Sequence, residues 1–182
     1  MCLRMQDIQL TPTSHIVLGL LDQAGEATPY ELTRMVEGSV GHFWSLPRSQ
    51  LYAEPARLAL AGYLSERQEP DGRRRKRYSL TEHGRQALER WRSTPTVEYT
   101  ELRDLAFLKL FFGADPTAMA QAQLSVLCPL LERYQRLHAT LGDGEPSGPR
   151  QTLEAGIDHV LASIEIWQRI VREAQGKNRR SK

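Results

Sequence analysis

Residues 62–81 read GYLSERQEPDGRRRKRYSLT, and this stretch decides the fold. At its centre lies Pro70-Asp71-Gly72, which is typical of a tight turn because proline presets one backbone dihedral and glycine accepts a positive one. We therefore predict a β-hairpin with strands at 63–68 and 73–80. Thr81 is then placed to cap a following helix.

The return strand of this hairpin begins with five consecutive cations. They are Arg73, Arg74, Arg75, Lys76 and Arg77. Since the whole chain carries a net charge of only +2, the basic character is local. Clustered cations bind nucleic acid by displacing counterions from its phosphates, so we predict that the hairpin tip contacts DNA phosphates. The alternative is a solvated, charge-rich hairpin. Tyr78 is expected to pack inward.

Three helical segments precede the hairpin. The first follows Thr11-Pro12, where threonine caps and proline suits the first helical position. The second follows Thr28-Pro29-Tyr30-Glu31, a T-x-x-E capping box. The third is predicted to start at 45–49 and to end at Ala61. Pro55 lies within it and is expected to kink it or to weaken its first turns, because proline lacks an N–H.

The order of three helices and a hairpin is typical of a winged helix-turn-helix, whose third helix enters the major groove. Arg48 and Gln50, at the start of this helix, are side chains that read guanine and adenine edges, whereas Ser49 and Tyr52 suit phosphates. A capping role for Ser49 and core packing for Tyr52 are the alternatives. Arg57 is interpreted as a helix-surface residue.

After a connector predicted at 93–100 the pattern is purely helical. One helix is predicted over 102–112 and a second opens at Asp115-Pro116. Pro129 lies within the second helix, which can bend there. A last helix is predicted over about 150–174.

The apolar residues of the last helix recur at spacings of 4, 3, 4, 3 and 4, which is a heptad seam. They are Leu153, Ile157, Val160, Ile164, Trp167 and Val171. Three helices alone would leave much of this apolar surface exposed, so we expect the seam to be buried between two subunits, with Trp167 as an anchor. The alternative is a core stripe within one chain.

Composition excludes several function classes. At 182 residues and 40% apolar residues, the chain is typical of a globular protein rather than a disordered one. No apolar run is long enough for a membrane span or a signal peptide, which predicts a cytoplasmic protein. Cys2 and Cys128 and five scattered histidines predict neither a disulfide framework nor a metal site. No catalytic constellation emerges, so we expect neither an enzyme nor a cofactor.

Taken together, the motifs of residues 14–92 resemble the PadR family of bacterial transcriptional regulators. The motifs are Leu18-Gly19-Leu20-Leu21, Tyr30-Glu31-Leu32, Trp44, Leu51-Tyr52, Arg57-Leu58, Gly62-Tyr63-Leu64, Arg77-Tyr78-Ser79-Leu80-Thr81, Gly84, Leu88 and Trp91. Leu105 to Gly113 (LAFLKLFFG) is similar to the start of the helical C-terminal domain of many members.

The resemblance implies a mainly α protein that binds duplex DNA as a homodimer and represses transcription until a small-molecule effector binds. It places a winged helix domain at 11–92, the connector at 93–100, a helical dimerisation domain at 101–175 and a flexible basic tail at 176–182. The alternatives are a dimeric winged-helix adaptor without operator binding and a small enzyme.

The chain departs from the family pattern at the second and third helices. Thr28-Pro29 stands where the family has His-Gly, Ala53 stands where a proline is frequent, and Pro55 takes an apolar position. These departures bear on which side chains read bases. Trp44 and Trp91 are interpreted as core residues, with a ligand pocket as the alternative.

Overall fold

The chain divides into two compact units, Met1–Glu98 and Tyr99–Lys182, each with its own hydrophobic core. The computed structural model describes residues 8–69, 75–98, 103–141 and 147–180, and for His42 and 177–180 it describes the backbone only. Most of the described chain is helical, and a small antiparallel sheet lies in the first unit.

The first unit has the predicted order of three helices, a hairpin and a further helix. Its elements are α1 (Pro12–Ala24), β1 (Glu26–Ala27), α2 (Pro29–Glu37), a 3-10 turn (Val40–His42), α3 (Arg48–Leu60), β2 (Leu64–Gln68), β3 (Lys76–Leu80) and α4 (Glu82–Ser93). This order confirms the winged helix-turn-helix. We call the hairpin of β2 and β3 the wing.

The sheet has three strands in the order β1-β3-β2, with both pairs antiparallel. Leu64 lies opposite Leu80 and Gln68 lies opposite Lys76, so the two wing strands pair along their whole length. Strand β2 begins one residue later than predicted, and Arg75 lies just before the first residue of β3. Residues 70–74 lie outside the described residues, so the start of the return strand at Arg73 stays a prediction. Sequence patterns missed β1, because two residues are too few to show an alternation.

The predicted helix starts are confirmed by their capping hydrogen bonds. The hydroxyl of Thr28 accepts a hydrogen bond from the Glu31 amide at 3.2 Å, and the Glu31 carboxylate accepts one from the Thr28 amide at 2.7 Å. This reciprocal pair satisfies two amides that the helix leaves free. Thr11 caps α1 in the same way with Ser14, and Thr81 caps α4.

Helix α3 continues across Pro55 from Arg48 to Leu60. Leu51, Pro55 and Leu58 follow one another at spacings of four and three and are all fully buried. Proline therefore fills a position on the core face of an uninterrupted helix, and the expected kink or weakening of its first turns stays a prediction. The opposite face of α3 is turned to solvent.

Replacing Gly84 with alanine is expected to destabilise the first unit, although alanine favours helices. A Cβ atom at Gly84 would lie 2.2 Å from the carbonyl oxygen of Tyr63, a backbone atom fixed at the start of the wing. Overpacking of this kind costs about 1–3 kcal/mol, which urea unfolding followed by circular dichroism measures.

The matched control is Gly19→Ala in helix α1. Within the described residues no atom lies within 4 Å of a Cβ at Gly19, so this change is expected to raise the free energy of unfolding by about 0.5–1 kcal/mol. A Gly84→Ala protein as stable as the Gly19→Ala protein would contradict the packing of α4 against the wing.

The second unit consists of α5 (Leu105–Phe111), α6 (Pro116–Thr140) and α7 (Gly148–Arg180). Helix α5 begins three residues later than predicted, because the Asp104 carboxylate caps it by accepting the amides of Ala106 and Phe107. The predicted start of α6 at Asp115 is confirmed. Helix α7 begins two residues earlier than predicted and continues beyond the predicted end.

Helices α6 and α7 pack against each other over most of the length of α6. His138 Nε2 lies 3.0 Å from Glu154 Oε1, and a Cβ at Gly156 would touch the ring of Tyr134 at 3.4 Å. Since residues earlier in α6 meet residues later in α7, the two helices are antiparallel. Tyr134 and Val160 are buried between them.

Two of the predicted seam residues, Trp167 and Val160, are buried within their own chain, which contradicts the expectation that Trp167 anchors a contact between subunits. Trp167 is 1% exposed, and its ring stacks on Phe107 with centroids 4.7 Å apart. Ala106 and Ala120 complete that core. Helices α5 and α6 of the same chain therefore cover this part of the seam. The other four seam residues, Leu153, Ile157, Ile164 and Val171, are half-buried, and their contact with a second subunit stays a prediction.

The interpretation of Trp44 and Trp91 as core residues is also wrong, since they are 45% and 52% exposed. Trp44 follows the 3-10 turn, where the chain lies on the surface of the first unit. The ring of Trp91 stacks on His15 with centroids 4.7 Å apart. An aromatic residue near the end of a helix is therefore a weak indicator of burial here.

Candidate nucleic-acid interface

All four side chains of α3 that were predicted to contact DNA are exposed, and they lie in its first turns. They are Arg48, Ser49, Gln50 and Tyr52. The alternative roles are excluded, since Pro47 occupies the N-cap of α3 and Tyr52 is 52% exposed. The physical reason is the helical spacing of the buried residues, which turns these four side chains away from the core.

Two of these side chains already have polar partners at the surface. The Gln50 Oε1 atom accepts a hydrogen bond from the Thr13 hydroxyl at 2.9 Å. The guanidinium of Arg48, whose side chain is 77% exposed, pairs with Glu37 at the end of α2. An exposed ion pair of this kind is weak, so Arg48 can exchange Glu37 for a base edge at little cost.

A polar cluster behind α3 holds it against α1. The Ser14 hydroxyl donates a hydrogen bond to Glu54 Oε1 at 2.6 Å, and the guanidinium of Arg57 donates to both Glu54 oxygens at 2.6 and 2.9 Å. Burial by itself would raise the pKa of Glu54, but the hydrogen bonds from Arg57 and Ser14 lower it below its ordinary value. The carboxylate is therefore charged at neutral pH.

Sequence reasoning missed this cluster and placed Arg57 on the helix surface. The only local signal is the Glu54-to-Arg57 spacing of three residues, which places both side chains on one helix face. Ser14 lies 40 residues earlier than Glu54, so no pattern along the chain connects them. The cluster fixes the direction in which α3 presents its first turns.

The wing cations occupy different environments. Arg75 is exposed and has no carboxylate partner within the described ranges, whereas Lys76 pairs with Glu66 at 2.8 Å. Arg77 is only 24% exposed and is surrounded by carboxylates. Arg73 and Arg74 lie outside the described residues.

The expected inward packing of Tyr78 is confirmed. Tyr78 is 2% exposed, and its hydroxyl donates a hydrogen bond to Glu66 Oε2 at 3.0 Å. Burial, with Glu66 beside it, raises the pKa of Tyr78 to about 12. Tyr78 thereby joins the hydrophobic core to the polar edge of the wing.

An open groove of about 730 Å³ runs between the start of α2, the outer face of α3 and the wing. Its lining residues are Thr28, Pro29, Tyr30, Tyr52, Ala56, Arg75, Lys76 and Tyr78. Hydroxyls and cations are the groups that proteins use to hold phosphate oxygens. The groove joins the exposed turns of α3 to the wing, and the exposed lining residues that carry such groups are Tyr30, Tyr52, Arg75 and Lys76.

In the part of the chain that the structure describes, no three His, Cys, Asp or Glu side chains are grouped as metal ligands. None of the described helices is long and apolar enough to cross a membrane.

Comparisons with known proteins show a family and a shared fold. Residues 17–90 match the model of the Transcriptional regulator PadR-like family. The chain is 34% identical over 155 residues to the negative transcriptional regulator PadR of Bacillus subtilis (strain 168), covering 83% of this chain and 76% of that protein.

Two solved structures share the fold over nearly their whole length. One is B. subtilis PadR in complex with operator DNA, with a TM-score of 0.79 and 23% identity over 91% of this chain and 99% of that one. The other is B. subtilis PadR in complex with p-coumaric acid, with a TM-score of 0.73 and 22% identity over 92% and 99%.

Proposed function

This chain belongs to the PadR-like family of transcriptional regulators, and we propose that it binds operator DNA as a homodimer and represses transcription until a small-molecule effector releases it. The observation that carries the proposal is the continuous surface formed by the exposed turns of α3, the groove and the wing. The relatives are regulators and not enzymes, which favours DNA binding over a small enzyme.

On this surface α3 is the recognition helix, which discriminates between base sequences, and the wing adds binding affinity through contacts with phosphates. We expect Arg48 and Gln50 to contact base edges, and Ser49, Tyr52 and the wing cations Arg73, Arg74, Arg75 and Lys76 to contact phosphates. Those of these side chains that the structure describes are all exposed. Two such surfaces related by a two-fold axis would read a palindromic operator with half-sites about one helical turn apart. The complex of the B. subtilis relative with operator DNA supports operator binding by this chain.

Exposed apolar side chains of the second unit support the dimer. Phe111 and Phe112 at the end of α5 are 82% and 77% exposed, and Leu105 and Val126 are more than 60% exposed. The rings of Phe111 and Phe112 adjoin, with centroids 5.2 Å apart, and adjoining exposed aromatic residues are typical of a surface that another chain covers. The p-coumaric acid complex of the B. subtilis relative supports a small-molecule effector.

Fluorescence anisotropy with the DNA upstream of this protein's own gene tests the proposal against random duplex at the same salt concentration. We expect the upstream DNA to bind at least about 1,000-fold more tightly, and sedimentation to give twice the mass of one chain. Equal affinity for both duplexes would refute sequence-specific regulation and favour a winged-helix adaptor.

A further inference from the structure

Three carboxylates surround the guanidinium of Arg77. Its Nε donates a hydrogen bond to Glu69 Oε1 at 2.7 Å, its Nη2 donates to Glu31 Oε1 at 3.2 Å, and its Nη1 lies 3.6 Å from Glu26 Oε1. The side chain is 24% exposed. A phosphate that bound Arg77 would have to displace the carboxylates that already accept hydrogen bonds from it. A phosphate that bound Arg75 would displace none of the described carboxylates.

The three carboxylates come from three different elements. Glu26 lies in β1, Glu31 lies in the first turn of α2, and Glu69 directly follows β2. The hydrogen bond from the Thr28 amide lowers the pKa of Glu31, and Arg77 lowers it further. Arg77 therefore joins the tip end of the wing strands to the beginning of α2, which forms one wall of the groove.

The strand register explains why these acids are needed. Arg67 in β2 lies directly opposite Arg77 in β3, and like charges at opposite positions destabilise a sheet. Glu26 accepts hydrogen bonds from Arg67 at 3.0 and 3.1 Å and also neighbours Arg77. We call Arg67, Arg77, Glu26, Glu31 and Glu69 the Arg77 cluster.

We propose that Arg77 is a positioning residue that holds the wing at a set distance from α2, which packs against α3, and that it does not contact DNA. This inference rests on the proposed DNA-binding function. The cluster contains three acids and two arginines, so it adds no net attraction for phosphate. The Arg77 cluster sets the distance between the wing and the recognition helix. That distance decides whether both reach one operator half-site together.

The substitution Glu69→Gln distinguishes a positioning role of the Arg77 cluster from a general effect of charge on DNA affinity. It removes a negative charge beside the wing, so electrostatics alone predicts tighter binding to every DNA. Positioning predicts that the ratio of operator affinity to random-duplex affinity falls at least about fivefold, the scale of one interaction in an ion-pair network. The matched control is Glu82→Gln, which removes the same charge from an exposed pair with Arg85 on α4.

The salt dependence of binding gives the second readout. Arg75→Ala is expected to reduce the slope of log K against log salt by about 0.9 for each lost phosphate contact. Arg77→Ala is expected to lower the specificity ratio and leave this slope unchanged. Arg77→Lys, which keeps the charge but cannot reach three carboxylates, is expected to behave like Glu69→Gln. Circular dichroism confirms that each variant is folded.

Two results would overturn the inference. One is an unchanged specificity ratio for Glu69→Gln, matching that of Glu82→Gln. The other is a salt slope that falls as much for Arg77→Ala as for Arg75→Ala. Either result would leave the proposed function intact, whereas a wild-type protein without preference for its operator would refute both.

Discussion

Trp167→Ala is expected to abolish the cooperative unfolding of the second unit. The indole is 1% exposed and stacks on Phe107, within a small core that Ala106 and Ala120 complete. Truncating a buried tryptophan to alanine costs about 3–5 kcal/mol. That loss is a large share of the about 5–15 kcal/mol that stabilises a typical domain. Urea unfolding followed by far-UV circular dichroism measures it.

A second tryptophan provides the control for this prediction. Trp91 is 52% exposed, so Trp91→Ala should reduce the free energy of unfolding by no more than about 1 kcal/mol, as is usual for surface sites. If Trp167→Ala leaves unfolding unchanged and only splits dimers in sedimentation, Trp167 lies between subunits and the intrachain packing described above is contradicted.

Replacing Arg73, Arg74 and Arg75 together with alanine is expected to weaken binding to all DNA, whether operator or random. Each phosphate contact adds about 0.9 to the slope of log K against log salt, so three lost contacts remove about 2.7 from each wing. Because the dimer has two wings, its slope falls by about 5.4, and over a fourfold rise in salt the affinity of the variant would fall about 1,800-fold less than that of the wild type. Anisotropy titrations at several salt concentrations measure both slopes.

The control removes three exposed cations from the second unit, by changing Lys109, Arg136 and Arg172 to alanine. Both triple variants lose the same net charge, so a general charge effect would change both slopes equally. A slope that is unchanged in the wing variant, or that falls equally in the control, would remove the wing from the contact surface.

Predictions that rest on neighbouring residues were the most successful. The capping box of Thr28 and Glu31, the caps at Thr11, Thr81 and Asp115, and the pairing of the wing strands all follow from groups within a few residues of one another. The exposure of Arg48, Ser49, Gln50 and Tyr52 follows from the helical period. Such signals are local, and tertiary contacts seldom reverse them.

Predictions that rest on distant partners were incomplete or wrong. An intrachain stripe and an intersubunit seam have the same heptad spacing, so the pattern around Trp167 could not say that Phe107 covers it. The run of five cations looks uniform in sequence, yet Glu31, 46 residues away, meets Arg77 and not Arg75. Charge along the chain does not reveal which carboxylates folding brings near.

The sequence by itself determined the winged order of the first unit, the helical character of the second and the surface of α3 that faces outward, because periodicity, capping and turn chemistry act over a few residues. Only the tertiary structure decided that β1 joins the sheet, that Trp167 is buried within its own chain and that carboxylates enclose Arg77. These features depend on contacts between segments that are distant in the sequence. Such contacts form only when each unit packs its own core.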